Sequence, residues 1–237
     1  MNPKVYSLSK QQSIHLLAEL LSEESWAFSY DAQKHGIIAS DKKTATKLFD
    51  LRLPLLCNSP QKAKSLPEYL EELQGEDIQH YVLLMMQAGQ ASLGSFVDGE
   101  LTKHKVIRKY MVRKKQGKAQ LNHLNTKGKS RQGSRIRLRE SLEFFVELNQ
   151  KMKDWQALPE AEAIFYSASP QLWPYLFEST ESCPFAKDDP RLRKVPVDVN
   201  VPNLAELKRI NWSLSQGQLL LFEKGIQVEI EKALKES

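Results

Sequence analysis

Cysteine is scarce in this 237-residue chain: Cys57 and Cys183 lie far apart and outside any C-x-x-C spacing. Neither a disulfide framework nor a cysteine-based zinc site can be argued from them, and the chain reads as cytoplasmic and reduced. Long apolar runs are missing as well. The densest, YVLLMM from Tyr81, has the length of a strand and falls short of the roughly 18 residues that cross a bilayer, so no membrane partner is expected. The opening MNPKVYSLSKQQ lacks the basic-then-apolar layout of a secretory leader. Internal repeats and low-complexity linkers are absent too. The most informative gap is in one sign of charge. Residues 103–139 hold 14 Lys and Arg and no Asp or Glu, while the rest of the chain carries 20 basic against 29 acidic side chains, a balance of −9.

A cationic run this dense repels itself unless an anionic partner neutralises it, and a phosphate backbone is the commonest such partner. A solvated lysine-rich face would interleave glutamates at helical spacing, and this segment has none. The hydrophobic fraction of 41% and charged fraction of 27% belong to a folded chain with a sizeable core rather than to a disordered one.

Local signals define an α/β chain whose mixed sheet is flanked by helices. Ser9-x-x-Gln12 is a capping box for an amphipathic helix over 10–22, and LPEYLEELQ from Leu66 is a second capped helix. SWAFSY and GIIASD are short strands around a polar turn at 31–35. Asp98-Gly99 between β-rich runs marks a hairpin, and the last strand of that meander is expected over 106–113. Residues 120–132 are polar, aperiodic and loop-like. Leu142, Phe145, Leu148, Met152 and Trp155 then recur at helical spacing as a packed stripe. Beyond them come a buried strand AIFYSA, a short helix in PQLWPYLFES, an edge strand RKVPVDV and a helix with Leu204, Leu207, Ile210 and Leu214 inward. The strand QLLLFEKG and the helix IQVEIEKALK close the chain. Residues 1–75 are expected to join the same globular unit as the domain over 76–237.

At the centre of the basic run stands Gly117-x-x-Gln120, preceded by Tyr110-Met111-Val112-Arg113-Lys114-Lys115-Gln116. Downstream follow Gly133-x-x-Ile136-Arg137, then Asp189-Pro190-Arg191-Leu192-Arg193, Val195-Pro196 and Leu204-x-Glu206-Leu207-x-Arg209. A Gly-x-x-Gln tetrad alone carries little weight; the ordered set over about 81–220 resembles the release-factor-like peptidyl-tRNA hydrolases of ribosome quality control. The eukaryotic members of that family carry zinc-finger and ankyrin appendages, which this chain lacks, so it resembles a compact, bacterial member. It departs from the pattern at Lys118, where many relatives have a small residue, and at Arg137-Leu138-Arg139, where the family pairs its arginines.

The resemblance implies a fold similar to the central domain of the eukaryotic and archaeal class-I release factor, with a long basic mobile loop. It also implies codon-independent hydrolysis of the ester joining a stalled peptide to tRNA on the large ribosomal subunit. Gln120 would position the attacking water, because its amide donates and accepts without changing protonation state. Gly117 would let the backbone take positive φ and pass close to RNA. Arg113, Lys114, Lys115, Lys118, Lys127, Lys129, Arg131, Arg135, Arg137 and Arg139 would contact phosphates of rRNA and peptidyl-tRNA and fix orientation rather than read sequence. No metal or other cofactor is required, and the chain is expected to act as a monomer. The alternative is an rRNA- or tRNA-binding factor that cleaves nothing. A nuclease ranks last: it would need clustered carboxylates for metal, and the adjacent pair Asp188-Asp189 sits outside the basic segment. His104 and His123 read as surface histidines, Trp155, Trp173 and Trp212 as core anchors, and the cysteines as small apolar residues.

Overall fold

The computed structural model describes residues 4–109, 132–155, 157–222 and 225–235; of 132–141 only the backbone is described. Two compact units divide the chain.

The first unit joins Met1–Gln79 to Asn211–Ser237. Its five-stranded sheet has the order β1 (Lys4–Leu8), β10 (Gly217–Leu221), β4 (Lys47–Arg52), β3 (Gly36–Asp41), β2 (Trp26–Asp31). Every neighbouring pair in it is antiparallel. Helix α1 (Lys10–Leu20) starts at the expected capping box, with Ser9 accepting from the Gln12 N–H and Gln12 accepting from the Ser9 N–H, and it buries Leu16, Leu17 and Leu20. Helix α2 (Leu66–Leu73) is capped by Ser65 and begins with Pro67, whose missing N–H has no partner to lose at that position. Strands β1 and β4 were not legible in the sequence. β4 buries Leu48, Phe49, Asp50 and Leu51 consecutively, so the two-residue alternation that identifies a half-buried strand never develops. Asp50 is tolerated in this interior because Lys47 Nζ lies 2.8 Å and Lys34 Nζ 3.7 Å from its carboxylate. The N-terminal strands therefore build a sheet of their own, closed by β10.

The second unit, His80–Ile210, contains a sheet of order β7 (Glu100–Arg108), β6 (Gln90–Val97), β5 (His80–Gln87), β8 (Ala163–Ala168), β9 (Leu192–Lys194). The three meander strands are antiparallel and the pairs β5–β8 and β8–β9 parallel, so the expected mixed α/β architecture is present, distributed over two sheets. Asp98 and Gly99 take φ of 51° and 79°, the positive pair that a type I′ hairpin turn requires. β7 begins directly after that turn, at Glu100 rather than Val106.

Helix α3 (Gln132–Asp154) covers one face of this sheet with Phe144, Phe145, Leu148 and Met152 buried, and α4 (Ala157–Glu160) follows. Leu142, expected in that stripe, is 61% exposed. Phe144 takes the inward phase instead and turns position 142 outward. After the short α5 (Trp173–Phe177), helix α6 (Leu204–Leu214) buries Leu207, Ile210 and Leu214. Trp212 is two residues from Ile210, on the opposite side of that helix, and is 60% exposed; it is not a core anchor. Trp155 is buried as expected, and Trp173 stacks half-buried on Tyr166 with centroids 4.3 Å apart. The last helix, α7 (Gln227–Lys235), seats Ile230 in the core of the first unit.

Two features of the second unit yield predictions. A Cβ at Gly94 would stand 2.8 Å from Phe96 Cε2 and 3.2 Å from both Leu101 Cδ1 and Leu207 Cδ2. The Phe96 ring is stacked on Tyr81 at 5.1 Å and cannot simply swing away. Gly94→Ala should therefore cost about 1–3 kcal/mol, seen as a lower urea midpoint. At α6, Asn203 Oδ1 accepts from the Glu206 N–H, and the buried Glu206 carboxylate accepts from Asn200 N at 2.6 Å and from Arg209 Nη2 at 2.7 Å. Arg209 chiefly holds the Glu206 carboxyl below its ordinary pKa. Its stabilisation is complete above the unfolded value near 4.3 and is lost as pH falls through the depressed folded value. Glu206→Gln should lose about 1.5–3 kcal/mol at neutral pH, with the gap to wild type closing below roughly pH 4. A gap that stays constant down to pH 3 would contradict this assignment.

Candidate nucleic-acid interface

Strand direction places the ends of several elements together. β5 and β8 are parallel, and β7 is antiparallel to β6, which is antiparallel to β5, so β5, β7, β8 and β9 all point the same way. Their C-terminal ends form one rim, carrying Gln87, Arg108, Ala168 and Lys194. In open α/β sheets this is the rim where ligands are bound. The first residues of the acid-free run, 103–108, belong to β7 and end at this rim, and its last, 132–139, open α3.

The rim is braced where the run leaves the sheet. Lys109 N–H donates to Gly89 O at 2.9 Å, prolonging the β6–β7 ladder by one bond. Its ammonium lies 3.5 Å from Glu143 Oε2 and 3.3 Å from Glu147 Oε2, carboxylates one turn apart on α3. Each pair alone is worth a few tenths of a kcal/mol to about 1 kcal/mol. Together they fix the first residue of the run beyond the strand against the helix to which the run returns. On the neighbouring hairpin, Gln87 Nε2 donates to Val199 O at 3.0 Å and Asn200 O at 2.6 Å, and Gln90 Nε2 donates to Pro202 O at 2.7 Å. These amides tie the approach to α6 down to the same rim. An open cleft of about 600 Å³ lies there, lined by Val106, Arg108, Asn203, Leu204 and Ala205.

Gly117, Gln120, Arg113, Lys114, Lys115, Lys118, Lys127, Lys129, Arg131 and His123 lie outside the described residues. Arg135, Arg137 and Arg139 fall in the N-terminal part of α3. His104 is an exposed residue of β7. Sequence reasoning had missed Gln87, Gln90, Lys109, Glu143 and Glu147. The i, i+4 spacing of Glu143 and Glu147, close behind a run devoid of acids, was the one available signal for the last two.

Two motifs of the resemblance have structural work in this chain. Asp189 accepts from Arg191 at 3.0 and 2.8 Å, and Arg191 Nη1 donates to Leu158 O at 2.8 Å and Ala161 O at 3.2 Å, stapling β9 to the turn that precedes β8. Asp189 is thus committed to an ion pair that holds its carboxyl below the usual range. Glu206 and Arg209 brace the entrance of α6, which Asn203 caps. Among the described residues, no three His, Cys, Asp or Glu side chains converge as metal ligands would. Burial pushes the Cys57 thiol up to about 12 and the Cys183 thiol up to about 11, leaving both poor nucleophiles. No helix among the described residues is long and apolar enough to cross a membrane.

The chain is similar to several known proteins. A mouse protein named tRNA endonuclease ANKZF1 is 30% identical over 164 residues, covering 68% of this chain and 21% of the mouse protein. The tRNA endonuclease VMS1 of Saccharomyces cerevisiae is 30% identical over 119 residues, 49% of this chain and 18% of its own length. The chain thus spans about a fifth of the curated relatives it matches. A solved structure titled Vms1 mitochondrial localization core aligns with a TM-score of 0.46 at 17% identity, over 89% of this chain and 83% of that one. The family model described as Bacteroidetes VLRF1 release factor matches residues 81–221, which include the meander, the entire acid-free run, α3 and the braced rim. With more than half of its residues matched by that model, the chain belongs to the Bacteroidetes VLRF1 release factor family.

Proposed function

We propose that this protein separates stalled nascent peptides from their tRNA on the large ribosomal subunit, in ribosome quality control, and that the Gly117–Gln120 segment performs the separation. One observation carries the reading: a neutral carboxamide and a glycine stand in the middle of an acid-free cationic run, in a chain of a release factor family. A segment entering a funnel walled by RNA must be neutral or cationic, since a carboxylate among desolvated phosphates would cost several kcal/mol. The lysines and arginines of the run neutralise phosphates and orient the protein without reading sequence, which suits a factor that acts whatever codon is present.

The bond cut in the first reading is the ester between peptide and terminal ribose. Gln120 holds a water against the carbonyl carbon, the water attacks, and the ribose oxygen leaves. A glutamine amide has no proton equilibrium near neutral pH, so the proton passes through RNA hydroxyls, and the protein contributes position and charge. A second reading is favoured by the names of the mouse and yeast relatives, which are tRNA endonucleases. There the 2′-hydroxyl of a nucleotide near the tRNA 3′ end attacks its own phosphate, giving a cyclic phosphate and a free 5′-hydroxyl. That route needs no metal carboxylates, so ranking a nuclease last for want of them was unjustified. Both cuts free the peptide from the body of the tRNA.

Purified large subunits bearing peptidyl-tRNA, incubated with wild type and with Gln120→Ala, test the proposal. Release should fall on the order of 100-fold in the variant, a loss of positioning, while subunit binding persists. Equal release by both proteins would remove the reading. The tRNA product decides the bond: an intact 3′ adenosine marks ester hydrolysis, and a shortened tRNA ending in a cyclic phosphate marks strand cleavage.

A further inference from the structure

We infer that β7 is itself an RNA-contacting element, a strip that extends the phosphate contacts of the run down the open edge of the sheet; the inference rests on the RNA-binding reading above. Among the described residues β7 is the edge strand of its sheet, paired with β6 alone. It differs from the strands beside it: β5 and β6 each have six consecutive buried residues, whereas in β7 Ile107 alone is fully buried. The side chains it presents are Lys103, Lys105 and Arg108, with Lys105 partly covered and the other two exposed. None of the three forms an ion pair among the described residues, in contrast to Lys109 next door, held by Glu143 and Glu147. Lys103 and Lys105 share the face that α3 covers, and Arg108 lies on the other, lining the cleft beside the first turn of α6.

Lysines on an edge strand commonly guard it against pairing with another sheet. Guarding is indifferent to sign, and a mixture of Lys and Glu would serve as well. An exposed glutamate, Glu100, opens the strand, but from Lys103 onward the sign is uniform and the strip continues without an acid into the run at Lys109, in a chain whose remaining residues are net acidic. Charge of one sign, unpaired and continuous with a phosphate-binding segment, fits a polyanion. From Lys103 to Arg108 the strand extends about 17 Å at roughly 3.3 Å per residue, long enough to meet several successive phosphates. The partner is the backbone of structured RNA, either rRNA or the tRNA body.

The test compares wild type with the triple variant Lys103→Gln/Lys105→Gln/Arg108→Gln and with Lys103→Glu/Lys105→Glu, which keeps a charged and therefore guarded edge. Binding to isolated large subunits and to deacylated tRNA is measured across a salt series. The triple variant should bind on the order of 100-fold more weakly at 0.1 M salt, with the slope of log K against log salt reduced by two to three, about one for each phosphate that is no longer neutralised. The glutamate variant should stay folded and monomeric and bind more weakly still. Weakening confined to subunits assigns the strip to rRNA, and weakening confined to tRNA assigns it to the tRNA. Wild-type affinity and slope in both variants, on both RNAs, would overturn the inference and leave these residues as edge guards. Weakened binding here together with undiminished release by Gln120→Ala would keep the strip and remove the catalytic reading.

Discussion

A run of cations without a single acid repels itself, and the fold meets that repulsion at the point where the run leaves the sheet. Lys109 is tied there by its backbone to Gly89 and by its ammonium to Glu143 and Glu147. Without the ammonium, two carboxylates one turn apart on α3 would face each other as like charges, and the helix would keep its apolar packing on the sheet but lose its ion pairs to the residue that follows β7. One side chain thus serves both the ladder and the helix. Charge at this point is neutralised within the fold.

The remainder of the rim extends the same arrangement. Parallel β5, β8 and β9, with β7 alongside, end together, and the amides of Gln87 and Gln90 fasten the loop that leads into α6 beside them. Gly94 allows Leu207 to approach the sheet, Asn203 Oδ1 satisfies the orphan Glu206 N–H at the entrance of α6, and the Glu206 carboxylate holds the Asn200 N–H of the approaching loop. A rigid frame under a cationic segment is what a positioning mechanism needs, because an amide that works by orienting a small molecule is only as accurate as the base from which it is held. The carboxylates named here are occupied in this support: Glu206 by Arg209, Glu143 and Glu147 by Lys109.

Features governed by neighbouring residues could be read directly. The Ser9–Gln12 capping box, the Asp98–Gly99 turn and the inward face of α6 all depend on contacts within one or two turns of chain. The imbalance of charge was equally plain, being a property of composition. What the sequence concealed was decided by distant partners. β4 reads as featureless because it is covered on both faces, and of the stripe read on α3 Phe145, Leu148, Met152 and Trp155 are buried, while Leu142 is exposed and Phe144 lies in the core. Nothing local marks Gln87, whose amide bonds to a carbonyl 112 residues away. Trp212 was assigned to the core on residue type, against the helical pattern of Leu207 and Ile210, and the pattern was the better guide.

The account stands on the claim that the centre of the cationic run reaches the junction of peptide and tRNA. A photoreactive amino acid placed at Ala119, beside Gln120, in complexes of the protein with stalled large subunits, tests this directly. The account predicts crosslinks to the terminal nucleotides of the peptidyl-tRNA, abolished when the tRNA is removed beforehand. Crosslinks confined to solvent-facing rRNA or to ribosomal proteins, with none to the tRNA terminus, would contradict it.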